Sequence, residues 1–187
     1  MSSWLLICYR TPQEPSAARV AAWRTLRHVG ALAVAGGAYV VPDTKALRVV
    51  LDKLVKRIVA GGGTAFVLSG EFLDQEEEAR VHMESERMRS DEYGQVVKSA
   101  RHFAEHIERE STSDDYRFAE VESLEQELEK VRRQLELVAA RDYFANPLRE
   151  EAQAAIVVGE ESLRCYVDEA YRRGMEPSVR DQTRSSE

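Results

Sequence analysis

Arg19, Trp23 and Arg27 recur at steps of four residues, with Arg24 and His28 beside them, inside the run SAARVAAWRTLRHVGA that spans residues 16–31. Residues four apart stack along one face of a helix, so this spacing aligns two guanidinium groups with an indole. Guanidinium forks grip phosphate oxygens, and that is the chemistry such a stripe offers. A second basic set follows at helical spacing: Lys45, Arg48, Lys53, Lys56 and Arg57. If both helices back the same sheet, the two sets form one solvent-facing surface of the kind that contacts a polyanion. Arg19, Arg24, Arg27, Lys53, Lys56 and Arg57 are therefore the expected DNA-contacting residues. Trp23 is expected to be largely buried. In the competing reading the arginines pair with the chain's own acidic helices.

Other chemically capable groups have plainer explanations. Gly61-Gly62-Gly63 falls between a helical pattern and a strand pattern, whereas a phosphate-cradling P-loop runs from strand to helix and ends in Gly-Lys-Ser/Thr. The triplet reads as a helix stop. His82, His102 and His106 match neither HExxH nor the ExxH pairs of di-iron bundles, so they are taken as structural or solvated and no metal site is expected. Glu120, Glu122, Glu125, Glu127 and Glu129 flank a heptad seam and read as its solvated sides. Arg141-Asp142-Tyr143-Phe144 reads as a packing corner or an interface. No Ser/His/Asp or Cys/His arrangement has local support, so the expectation is a non-enzyme without a cofactor.

The elements that must position these groups follow from charge and periodicity. Residues 1–70 hold nine Lys/Arg against three Asp/Glu, a balance of +6; the remaining 17 basic and 30 acidic residues give −13, which together make the net −7. Such a split points to two structural units, with any polyanion meeting the first. Cys8 and Cys165 form no CxxC pattern and read as reduced thiols of a cytoplasmic protein. No signal peptide is visible, and no apolar run approaches the roughly 20 residues of a membrane span, so no membrane partner is expected.

Residues 4–9 (WLLICY) read as a buried central strand. A helix follows from Ser16 to Val29, with Gly30 as its left-handed stop. Two short apolar runs around Gly36-Gly37 predict a hairpin. Asp43 is the expected N-cap of a second helix with apolar positions Leu47, Val50, Leu51, Leu54, Val55 and Ile58, and residues 64–69 (TAFVLS) form a last strand. The order βαββαβ over 1–72 is the ferredoxin-like plan, with both helices on one face of an antiparallel sheet. Residues 73–174 predict three helices (about 74–110, 116–142 and 147–173), separated by a polar break at 111–115 and by Asn146-Pro147. Val121, Leu124, Leu128, Val131, Leu135 and Val138 alternate steps of three and four, a coiled-coil seam that predicts a homodimer through the helical region. Residues 175–187 are polar and aperiodic, the pattern of a disordered tail. The fold class is thus α+β, a ferredoxin-like module followed by a partly coiled-coil helical half.

The pattern SxxRVxxWRxLxxxGA over Ser16–Ala31, the strand Ala38–Pro42 (AYVVP), the acidic run Phe118–Glu129 and Arg141–Phe144 together resemble the N-terminal domain of the ChrB family of bacterial chromate-resistance regulators, over about residues 4–173. The resemblance implies a cytosolic protein linked to chromate-responsive control, with the N-terminal module as the DNA-contacting part. Full-length relatives carry a further C-terminal domain associated with chromate sensing, which this chain ends without; chromate as its effector stays open. The family supplies no assigned catalytic residues. The N-terminal layout also looks like small ferredoxin-like nucleases, but those carry a metal-binding aspartate where this chain reads Cys8-Tyr9-Arg10-Thr11. The expectation is a non-enzymatic transcription regulator that binds DNA. The alternatives are a protein-interaction or dimerisation module and, further off, a metal-dependent nuclease.

Overall fold

The computed structural model describes residues 3–12, 16–112, 116 and 118–175. Most of the tail expected over 175–187 lies outside the described residues; Met175 itself ends the last helix. Two compact units result: Met1–Ser90 with Ala139–Asn146, and Asp91–Val138 with Pro147–Glu187. No helix among the described residues is long and apolar enough to cross a membrane.

The first unit runs β1 (Trp4–Arg10), α1 (Ser16–His28), β2 (Leu32–Ala35), β3 (Ala38–Pro42), α2 (Lys45–Ala60) and β4 (Thr64–Gly70), and continues into α3 (Gln75–Thr112). The four strands form one sheet in the order β2-β3-β1-β4, every adjacent pair antiparallel. Alternation along β1 sends Leu5 and Ile7 to one face, where they meet Ala22 and Leu26 of α1 and Leu47, Leu51, Leu54 and Ile58 of α2 in a single buried cluster. Each such aliphatic side chain withdrawn from water stabilises the fold by about 1.5–3 kcal/mol. Both helices therefore lie against the same side of the sheet.

Both helices end by the same device. At Gly30 (φ 67°) the Gly30 amide donates to Arg27 O at 3.1 Å and the Ala31 amide to Leu26 O at 2.9 Å. At Gly62 (φ 78°) the Gly62 amide donates to Val59 O and the Gly63 amide to Ile58 O, each at 3.0 Å. These are Schellman closures, in which a left-handed glycine satisfies the last carbonyls of the helix. The glycine triplet is thus occupied in stopping α2. The N-terminus of α2 departs from expectation. Thr44 is the cap, its Oγ1 accepting from the Leu47 amide at 3.2 Å, because Asp43 is already engaged by Arg48 and Ser69.

The opposite face of the sheet explains why the unit boundary falls within α3 and not at 72/73. Trp4, Leu32 and Val40 are buried there with Phe72, with Val81 and Met88 from the first part of α3, and with Phe144. The Trp4 indole donates to Glu78 Oε1 at 3.1 Å, tying β1 to α3 by a part-buried polar contact as well. Residues 139–146 belong to the same unit. The Tyr143 hydroxyl donates to Val29 O at 3.0 Å, and the buried Asn146 amide donates to Glu86 O and Ser90 Oγ at 3.1 and 2.9 Å. The Arg141–Phe144 segment is the packing corner its composition implied.

The second unit comprises the rest of α3, α4 (Phe118–Ala139) and α5 (Leu148–Met175). The polar break expected at 111–115 begins late, since Ser111 and Thr112 still belong to α3; residues 113–115 lie outside the described ones. The α4 seam is real in its burial. Leu124, Leu128, Val131 and Val138 are buried, and Val121 and Leu135 pack beside them. Its partners are Tyr93, Val96, Ala100, Phe103 and Ile107 of α3 and Ala152, Ile156, Leu163 and Tyr166 of α5. The surface that prompted the dimer expectation is therefore buried within a single chain.

Candidate nucleic-acid interface

Arg19, Arg24 and Arg27 are all exposed on α1, and Lys53, Lys56 and Arg57 are all exposed on α2. Both helices bury their opposite sides in one cluster against the sheet, so the six cations occupy the outer surface of one helical layer. Among the described residues, only Lys56 of the six has an ion pair, with Asp52 at 2.7 Å across one helical turn. Both partners of that pair are well exposed, and such pairs contribute about 0.2–1 kcal/mol at most, leaving the lysine free to exchange partners. The neighbouring Arg48 is differently placed. Its Nε and Nη2 fork onto both oxygens of Asp43 at 2.6 and 2.5 Å. Those contacts, with Ser69 and Ser3 donating as well, hold the Asp43 carboxyl down at about 2. Arg48 is committed to Asp43 and is not among the six exposed cations.

Trp23 corrects an expectation. It is 45% exposed, although a tryptophan on an amphipathic helix was expected in the core. Ala22, Leu26 and Val29 fill the buried face of α1, and Trp23 sits about 100° away around the helix from Ala22, on the side where the arginines project. The Arg27 guanidinium lies 5.3 Å from the centre of the indole, a cation–π contact that gives the arginine a rigid platform. An exposed indole flanked by guanidinium groups can stack on a base or a sugar while the cations hold phosphates. Spacing alone did not decide this, since Trp23 is one turn from Arg19 and Arg27 and also three residues from Leu26, at the border of the buried face.

The other groups singled out from sequence are placed as follows. His82 packs edge-on to Phe144 and Trp4, with ring centres 4.3 and 5.1 Å away, as part of an aromatic cluster. His102 and His106 face glutamates of α4. A cleft of about 610 Å³ in the first unit is lined by Leu32, Val34, Phe72, Val81 and Met83, and its charged rim is mutually engaged, Arg80 with Glu77 and Arg87 with Glu84.

Comparison with known proteins decides the family. Residues 19–177 match the family model described as Protein ChrB, N-terminal. This chain belongs to that family. It is also similar to Protein ChrB of Cupriavidus metallidurans, with 33% identity over 78 residues, covering 42% of this chain and 24% of that protein. The aligned stretch thus spans about a quarter of the relative. No solved structure matches the chain. The basic stripe of α1 falls inside the residues matched by the ChrB N-terminal model, as does the whole of α2.

Proposed function

We propose that this ChrB-family protein is a non-enzymatic regulator associated with chromate resistance, and that its N-terminal module binds DNA. Arg19, Arg24, Arg27, Lys53, Lys56 and Arg57 contact phosphates, and Trp23 adds stacking. The observation that carries this reading is the outer face of α1: three exposed arginines around an exposed indole, without a carboxylate partner among the described residues. Like charges held together on one surface repel each other, and a polyanion relieves that repulsion. The strand order β2-β3-β1-β4 supports taking the module as ferredoxin-like, and the burial of four of the six seam positions, with Val121 and Leu135 partly buried beside them, supports coiled-coil-type packing inside the helical unit.

The test is binding of the chain to DNA from its own promoter region across a salt series. Arg24→Ala with Arg27→Ala should weaken binding and flatten the dependence of log affinity on log salt by about 0.9 for each phosphate contact removed. Absence of any binding at low salt overturns the reading.

A protein-interaction role is the second reading, and one observation favours it. Phe66 and Leu68 of β4 are 54% and 56% exposed on the open edge of the sheet, in a strand with no charge and no proline. Such an edge offers unpaired backbone groups to a partner strand. Replacing Leu68 with Lys would abolish partner capture there while leaving DNA binding unchanged.

A further inference from the structure

We propose that α3 and α4 hold a divalent transition-metal ion of the zinc class on His106 Nε2, Glu110 and Glu120. One ligand atom from each of the three residues lies within 4.8 Å of the other two, and the His106 Nε2 to Glu110 Oε1 separation is 3.7 Å. Ligand bonds of about 2.0–2.2 Å around a tetrahedral zinc place neighbouring donors roughly 3.3–3.6 Å apart. A side-chain adjustment of about 1 Å or less would therefore close the set, with water as the fourth ligand.

The observation that raises this above a cluster of surface charges is the other side of the imidazole. Glu127 Oε2 lies 2.9 Å from His106 Nδ1. An ionised carboxylate only accepts, so Nδ1 carries the hydrogen in that contact; in the neutral ring the lone pair is then on Nε2, the nitrogen that faces Glu110. A carboxylate holding one ring nitrogen while the other points at anionic donors is the arrangement that orients metal-binding histidines. The second oxygen of Glu127 lies 3.9 Å from His102 Nδ1, close enough for charge attraction but beyond a hydrogen bond. The four groups come from two helices of the second unit. His106 and Glu110 are one turn apart on α3, and Glu120 and Glu127 two turns apart on α4. One imidazole with two carboxylates suits zinc, cobalt, iron(II) or manganese better than the soft ions that need thiolate. The reading is independent of DNA binding, because the site belongs to the unit that lacks the basic stripe.

The experiment titrates the metal-free full chain with Co²⁺, followed by its visible d–d bands, and then displaces it with Zn²⁺. The expected result is saturable binding of one ion per chain, without the thiolate charge-transfer band that Cys8 or Cys165 would produce. His106→Gln and Glu120→Gln should each weaken binding at least tenfold. Glu127→Gln should keep the site and weaken it by about 10–100-fold, as loss of an orienting carboxylate does. Glu136→Gln, exposed elsewhere on α4, should change nothing. These variants are compared at matched metal-free melting temperatures, which the partial exposure of the replaced side chains allows. Absence of saturable binding below about 1 mM overturns the proposal, as does binding indifferent to both His106→Gln and Glu120→Gln; the cluster is then an ion-paired histidine.

Discussion

The two compact units are both rich in charge and both pair much of it, Arg48 with Asp43 and Arg87 with Glu84 in the first included; they differ at α1. In the second, cations and anions answer each other across and along the helices: Arg101 with Glu151, Arg132 with Glu160, Arg133 with Glu129, Arg173 with Glu169. In the first, α1 presents Arg19, Arg24 and Arg27 without a carboxylate partner among the described residues. A paired surface is complete as it stands. An unpaired surface of one sign stores repulsion and is relieved by something from outside the fold. The contrast locates the candidate interface more firmly than any single residue does.

Core substitutions sharpen the comparison most. Leu26→Ala and Phe103→Ala remove fully buried side chains from the two units and should each cost about 2–5 kcal/mol in urea unfolding. Trp23→Ala, on the exposed side of the same helix as Leu26, should change stability far less while weakening DNA binding. An equal stability loss at Trp23 and Leu26 would break the assignment of the α1 faces.

Asn146→Ala should cost about 1–3 kcal/mol, since the substitution removes the two hydrogen bonds that the buried amide donates to Glu86 O and Ser90 Oγ. A loss near zero would mean that residues 139–146 are not anchored to the first unit.

The pH dependence isolates the Asp43–Arg48 contact. The Asp43 carboxyl is lowered from 3.8 to about 2, so its stabilisation is complete above pH 3.8 and is lost as the pH falls through about 2. Asp43→Asn should remove that part of the acid transition, read from melting temperature against pH. On the alkaline side, burial and the adjoining Tyr39 push Tyr9 up to about 12 from 10.0. Its stabilisation is present below pH 10 and is lost as the pH rises through about 12.

The smallest effects are on surface charge. A double-mutant cycle on Arg132 and Glu160 should give a coupling of about 0.2–1 kcal/mol, and Arg24→Ala should shift stability by no more than about 0.5 kcal/mol. A large stability loss at Arg24 would show that it serves the fold, and the contrast between the units would fail.

Much of the first unit was legible because its signals are local. Gly30 and Gly62 announce helix stops, since few other residues adopt their left-handed conformation at low cost, and the apolar period of α2 names its buried face correctly. The N-cap of α2 was misplaced by one residue because Asp43 and Thr44 are both good caps. Only the arrival of Arg48 and of Ser69 from β4 decides between them. The α4 seam was legible as a seam but not as to its partner, because an apolar stripe specifies that it must be covered and leaves open by what. Trp23 lies at the border of the buried face of α1, about 100° from Ala22 and about 60° from Leu26, where helical phase leaves its burial undecided and tertiary packing settles it.

The order of charges, the apolar periods, the glycine stops and the alignment of Arg19, Trp23 and Arg27 were set by the chain alone, because backbone preference and side-chain phase act over a few residues. Tertiary packing decided which carboxylates meet which cations, that α3 and α5 cover the seam, that Arg141–Asn146 belongs with the sheet, and that Glu127 meets His106. The long-range pairings among these join residues some twenty to more than a hundred positions apart, and only competition among all buried surfaces selects them.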